Sequence, residues 1–475
     1  MCPNLNTSAP GDALTDLADA AVMPGSRPSP RLSLAAPVSD SGRVRLIDML
    51  RGIAVLGILL INIQLFGLPD YFSESFKNDP GDGNFWLLHF TTVLFGGKMR
   101  ALFGILFGAG VVLFVRNKEA LGRPVRGLFY RRMFWLLLFG LFDAHVILWM
   151  GDILYLYAVC GMVVYLFRNA KPGWLITAVP LVAILDFAGS VWLHQDLRRA
   201  RLEYVESAVA LDRGAVLSSA QTDALARWRA VEKTLIPNRE DVKENTRIMK
   251  SGYPEVASHV RRLAFEFQTK LLPVDMSDSL ALMLFGVALL KLGFLTGDWR
   301  RESYWKVALA GYAVGLPLVI FSTHYLTTHF PTLEAQLLEL ETVPVPWVNL
   351  IYPFQRILLS MAHIAVLVLV YKSQKFQGLL YRFTCVGQMA FTNYLMQSII
   401  CTLFFFGYGL NYFAELEYYQ VYFFVLGVWA VQLTYSPWWL KRFLFGPLEW
   451  VWRSLTYWRL QPLRRVTQSP STAAP

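Results

Sequence analysis

Apolar runs of about 20 residues, the length that spans a bilayer as a helix, recur along this chain between short polar stretches. Ten of them lie at 46–67, 98–115, 129–149, 152–168, 173–193, 276–295, 303–322, 349–371, 384–407 and 419–437. The pattern predicts an all-α fold, a polytopic membrane bundle of about ten spans. The spans fall into a first half over 43–193 and a second over 274–437. Phe85–Phe95 is apolar but shorter and predicts a half-embedded helix before the second span. Trp438–Leu460 is aromatic and charged, which makes 438–465 an interfacial amphipathic helix.

Three segments fall outside the pattern. Residues 1–42 are rich in Pro, Ser, Ala, Asp and Gly and carry no signal-like apolar run. They read as a disordered cytoplasmic tail, with Met23 as an alternative start, and 466–475 as a second tail. Residues 194–273 are polar and of mixed charge. Leu225, Trp228, Val231 and Leu235 recur there at helical spacing, so the segment is expected to be a small helical hairpin outside the membrane, either a cover or a spacer.

Charge placement gives an orientation. With the N-terminus in the cytoplasm, Arg43 and Arg45 precede span one. Arg116, Lys118, Arg123, Arg126, Arg131 and Arg132 fill the next cytoplasmic loop. Later cytoplasmic ends hold Arg168 and Lys171; Arg300, Arg301 and Lys306; Lys372, Lys375 and Arg382; and Lys441 and Arg442. The alternate loops are acidic: Asp70, Glu74, Asp79 and Asp82; Glu334, Glu339 and Glu341; Glu415 and Glu417. Ten spans with both termini inside satisfy the positive-inside bias at every short loop.

Composition agrees with a membrane protein and narrows the chemistry. Of 475 residues, 55% are hydrophobic and only 16% charged, against about 25% charged in soluble domains. The net charge of +10 sits in clusters flanking apolar runs, which points to topology and away from nucleic acid. Four cysteines show no metal-ligand spacing and form no disulfide framework.

Polar residues within the spans are the functional candidates, because a charge at a helix centre costs roughly 2.5–3.5 kcal/mol on insertion scales. In span one, Asp48 and Arg51 are three apart and form a pair, with Asn62 on the same face. The pair serves either to orient the helix or to bind a cytoplasmic anion. Gly104 and Gly108 in span two form a close-packing face, with Lys98 and Arg100 at its outer mouth. His145 lies about two turns before Asp152. Asp152 is either a helix cap or the carboxylate that orients His145 as a general base. In span eight, Asn349, Tyr352, Arg356 and His363 make one polar stripe, and Arg356 is deep enough to face the interior. Asn393 and Gln397 share a face in span nine, where amides glue helices together. Asp186 is an isolated carboxylate in span five. On this topology Asn62, His145, Asp152 and Arg356 share one depth and are expected to line one outer-half cavity.

Three motifs carry a resemblance: DMLRGIAVLGILLINI, HVILWMGDILYLYA, and the ending VGQMAFTNYLMQS, FGYGL and GPLEWVWRSLTYW. Together they resemble the YeiB-like bacterial inner-membrane family, domain of unknown function 418, over about Arg43 to Arg465. The opening is also distantly similar to transmembrane acyltransferases such as heparan-α-glucosaminide N-acetyltransferase. Those enzymes move an acyl group from cytoplasmic acyl-CoA to a glycan or lipid, and their catalytic histidine follows the first span before a Trp-Asn-Gly motif. The corresponding region here offers His89 without that motif.

The resemblance implies an acyltransferase-like protein of the bacterial inner membrane. It would bind no tight cofactor, take acyl-CoA as co-substrate near Asp48 and Arg51, and use a glycan, lipid or small-molecule acceptor. Joined to the polar residues within the spans, this reading takes His145 and Asp152 as the base, Arg356 and Asn62 as stabilising oxyanion charge, and Tyr352, His363, Asn393 and Gln397 as lining the substrate path. A transporter or lipid flippase without covalent chemistry is the alternative, and a structural membrane subunit the second. The bilayer is the one certain partner, and the sequence leaves a homo-oligomer open.

Overall fold

A computed structural model describes residues 44–69, 76–119, 125–235, 239–270 and 272–465. Both expected tails, and the loop charges Arg43, Asp70, Glu74 and Arg123, lie outside the described residues. Among those residues the regular structure is helical, and the protein is a helical membrane bundle.

The first half runs α1 (Arg45–Gly67), α2 (Gly83–Leu94), α3 (Lys98–Glu119), α4 (Arg126–Phe142), α5 (Leu154–Val164) and α6 (Pro172–Asp212). The polar segment continues with α7 (Ser219–Leu235), α8 (Arg239–Met249) and α9 (Tyr253–Thr269). The second half holds α10 (Leu272–Lys291), α11 (Arg301–His329), α12 (Leu333–Thr342), α13 (Val348–Lys372), α14 (Gln377–Gln388), α15 (Ala390–Phe405), α16 (Tyr418–Arg442) and α17 (Pro447–Tyr457). Local chemistry sets several boundaries. Prolines open α6, α9 and α17, Thr332 caps α12, and Glu417 with Gln420 forms a capping box on α16.

Helices occupy all ten expected intervals. Five are long and apolar enough to cross a bilayer by length and composition: α1, α2 joined with α3, α6, α11 and α13. Among the others, α4 has 17 residues, and α5 and α15, with 11 and 16, are short because the chain is irregular beside them.

α1 is the axis of the bundle and packs against α3, α14, α15 and α16. Its crossing with α14 is a backbone contact: a Cβ on Gly387 would overlap the Asp48 carbonyl, and one on Gly52 would lie 2.9 Å from Gly387 N. α3 meets α10 in the same way, Gly108 against Met283 and Gly286 against Ile105, so the expected glycine face of span two is a helix crossing. The basal end of the bundle is where α1 begins, tied by Leu46 against Gly297 and by the Arg168–Glu119 ion pair. The apical end is where α1 finishes, with Phe66 stacked on Trp149 at 3.8 Å.

Residues 194–273 are helical. α6 runs unbroken for 41 residues, α7 folds back on its outer part with Trp228 against Ala200 and Tyr204, and α8 and α9 follow. Residues 438–442 complete α16, and α17 packs on α4 through Trp452, which is buried and donates to the Arg132 carbonyl at 2.9 Å. The α4–α5 connection is no tight turn. Asp143–Ile147 form a π-helical turn, Leu148 is left-handed at φ 71°, and 149–153 are irregular. Leu148 and Trp149 are nonetheless buried, which is non-helical backbone shielded by protein.

Candidate functional site

Two cavities lie at opposite ends of α1. The basal cavity, about 200 Å³, sits between α1, α3, α4, α14, α15 and α17. Three arginines line it: Arg51, Arg132 and Arg453. Arg51 donates to Asp48 at 2.9 Å, so the expected pair exists, with Asp48 buried and Arg51 turned to the cavity. The Arg132 guanidinium lies 3.6 Å over the Trp452 ring, and Arg453 lies 4.3 Å over Phe445. Glu449 accepts from Phe391 N at 2.8 Å and Thr392 N at 3.0 Å. It therefore caps α15, whose start is a break after α14. Deeper in, the walls turn apolar and aromatic, through Phe103, Phe107 and Leu154 to the hydroxyls of Tyr157 and Tyr394.

The apical cavity, about 330 Å³, is floored by the end of α1, by Leu148–Met150, and by Phe406, Phe413 and Tyr418. α8 and α9 roof it with Asp241, Asn245 and His259. Gln64 donates to both Tyr418 and Tyr422, each at 3.1 Å.

The irregular segment 151–153 forms the wall between them. Leu154 and Tyr394 face the basal cavity, and Leu148, Trp149 and Met150 face the apical one. Asp152 accepts from Leu154 N at 3.1 Å and Tyr155 N at 2.9 Å, capping α5. Its carboxyl also meets Asp143 and the Tyr394 hydroxyl. Asp143 is fully buried and accepts from Ser398 at 3.2 Å. Tyr394 accepts from Ile153 N at 3.2 Å and touches Trp149.

The remaining candidates separate. His145 does not bond Asp152. Its Nε2 meets Gln268 Oε1 at 2.9 Å, and its carbonyl accepts from Arg261 at 2.8 Å. The cause is the π-turn and left-handed Leu148, which turn residues seven apart away from a common face. Arg356 is buried and bonds Asp278 with both terminal nitrogens, one at 2.9 Å. Arg100 joins the same carboxylate at 3.0 Å, and the Tyr352 ring lies 4.9 Å from the Arg356 guanidinium. Neither of these cavities brings Asn62, His145, Asp152 and Arg356 together: Asn62 is half-buried on α1, and none of the four lines the basal or the apical cavity. His363 sits between the Leu94 carbonyl and Tyr312, at 2.9 and 3.0 Å. Asn393 bonds Val386 O and Ser436, and Gln397 bonds Val55 O and Gln432. Both are buried and tie α15 to α1, α14 and α16. Asp186 accepts from Ser277 of α10.

The sequence reading missed Asp143, Asp278, Tyr394, Glu449 and Arg453. Glu449 and Arg453 sat in the quoted ending motif, and their four-residue spacing on an amphipathic helix was the available signal.

A family model described as a protein of unknown function (DUF418) matches residues 289–459. Two relatives align along nearly the whole chain. The uncharacterized protein YxaH of Bacillus subtilis is 30% identical over 92% of this chain and 100% of its own length. The uncharacterized protein YeiB of Escherichia coli is 27% identical over 86% of this chain and 95% of its own. No solved structure matches. Similarity over the full length of YxaH, together with the family match across the second half, makes this chain a member of the YeiB-like DUF418 family.

Proposed function

We propose that this protein is a membrane-embedded acyltransferase that takes acyl-CoA from the cytoplasm. The single observation that carries this reading is the basal cavity, three arginines at an aromatic mouth above an apolar interior. A guanidinium fork matches phosphate oxygens, and the apolar depth suits an acyl chain. Lys and Arg crowd the basal helix ends while Glu334, Glu339, Glu341, Glu415 and Glu417 occupy the opposite loops. The positive-inside bias then makes the basal end cytoplasmic, with both termini inside a bacterial inner membrane.

In the reaction, an acceptor oxygen or nitrogen attacks the thioester carbonyl and the carbon–sulfur bond breaks. The proton lost by the acceptor passes to the departing thiolate, giving free CoA. Asp152 and Tyr394, at the wall between the cavities, are the groups nearest that passage. His145 instead fastens the roof, and Arg356 is occupied by Asp278.

Purified protein in nanodiscs is expected to bind palmitoyl-CoA and release free thiol when acceptor lipids are present. Arg51→Ala and Arg132→Ala should each weaken binding about tenfold, the worth of one charge-assisted contact. Asp152→Asn should retain binding and lose thiol release. A wild-type protein that binds no acyl-CoA overturns the reading. One observation favours transport as the second reading: cavities at both ends of a buried, unwound segment are also the layout of a substrate path. Accumulation of a substrate without covalent change would select it.

A further inference from the structure

The two cavities differ in charge, and the difference specifies what each accepts. The basal cavity has three arginines; among the described residues no lysine or arginine lines the apical one. Its polar groups are two amides, a phenol, an imidazole and one carboxylate: Gln64, Asn245, Tyr418, His259 and Asp241. Arg262 reaches the outside of this cavity only through the His259 ring, at 3.4 Å, so a phosphate brought there would lose its hydration without a guanidinium or ammonium among the described lining residues to replace it. Hydroxyls would meet both donors and acceptors. Trp149, Phe406 and Phe413 add an aromatic wall to which a ring with apolar faces packs. The volume, about 330 Å³, is that of an ordinary small-molecule pocket.

The rim gives the second half of the argument. Leu65 lines this cavity and is 50% exposed on α1. It lies within an apolar span, so its exposed face meets lipid. The cavity thus borders the bilayer on one side and the extramembrane helices above.

The roof is fastened at several points. Gly407 N donates to Met249 O at 2.9 Å, Lys250 pairs with Glu415, and Tyr253 donates to Val146 O at 2.9 Å. Arg261 and Gln268 hold His145. These contacts fix α8 and α9 onto the irregular α4–α5 segment and the loop after α15. The cavity is therefore a formed enclosure rather than a gap between unconnected parts.

We infer that the apical cavity binds a lipid with an uncharged, hydroxyl-bearing headgroup, the headgroup under α8 and α9 and the chains leaving beside Leu65. On the acyl-transfer reading this lipid is the acceptor, and that clause rests on the reading; the binding does not.

The test is retention of lipid by the full-length protein, read by native mass spectrometry without acyl-CoA. The probes are glucosyl-diacylglycerol and phosphatidylglycerol in equal amounts. The glycolipid should be retained at least tenfold over the anionic lipid. Asn245→Leu and His259→Leu, on the roof, should each reduce that retention severalfold, while Arg51→Ala should not change it. Equal retention of phosphatidylglycerol overturns the inference, as does full retention in both roof variants. Complete displacement by methyl glucoside also overturns it, by assigning the cavity to a free sugar. A protein that retains glycolipid but binds no palmitoyl-CoA refutes the proposed function and leaves this inference standing.

Discussion

Arg356 was legible as a cation too deep in its apolar helix to reach the helix end, but its partner was not. Asp278 lies near the start of a span, where a carboxylate reads as interfacial, and the pair joins residues 78 apart in sequence. Removing one member of a buried pair leaves an uncompensated charge at a cost of about 3–5 kcal/mol. Asp278→Asn should therefore lower the melting temperature of the purified protein sharply. Adding Arg356→Met should restore much of the loss, whereas an unchanged melting temperature in the single variant would mean the pair contributes nothing. His145 and Asp152 show the opposite failure. Their seven-residue spacing implied a shared face only if the backbone were a regular helix, and the π-turn with left-handed Leu148 breaks that premise. His145→Ala should cost about 1 kcal/mol, one hydrogen bond to Gln268, and should loosen α9, seen as faster hydrogen exchange over 253–269.

Helix positions were legible because apolar run length reports spans directly, and the glycine stripe of α3 reported its crossing partner's closeness though not its identity. The crossings make a sharp contrast testable. Gly387→Val would drive a side chain into the Asp48 carbonyl, backbone that cannot step aside, while Gly427 has nothing within 4 Å. Gly387→Val is expected to abolish the monodisperse peak in size-exclusion chromatography, and Gly427→Ala to leave it unchanged. The break between α14 and α15 was invisible from hydropathy, since both sides are apolar. It depends on Glu449, 58 residues beyond Phe391, reaching back to cap a helix start. Glu449→Ala strands two buried backbone donors and should destabilise by about 1–3 kcal/mol, measurable as a lower urea or thermal midpoint.

At the scale of the molecule, charge bias and apolar runs specify a bundle with two chemically different ends. A reporter fused after Arg465 should behave as cytoplasmic, and a cysteine placed at the exposed Leu410 should be labelled from the periplasm; the reverse pattern would invert the bundle. Cavities remain beyond sequence because they gather residues from many elements, seven helices at the basal end and four helices with the loops between them at the apical end. α6 adds a mechanical property to this architecture. At about 1.5 Å per residue, its 41 residues extend about 60 Å, twice the hydrocarbon thickness. The outer half carries Ala200, which packs with Trp228 of α7 and Leu337 and Leu340 of α12. With no loop where the helix leaves the lipid, a change of tilt has nowhere to relax. A helix tilts further as the surrounding bilayer thins, and a swing of about 10° about its midpoint displaces the far end of such a rod by roughly 5 Å. On that geometry α6 would act as a gauge, converting the thickness of the surrounding lipid into the position of the small helical platform packed on its far end. Spin labels at Leu211 and Leu410, both exposed, should therefore report a different separation in short-chain and long-chain bilayers.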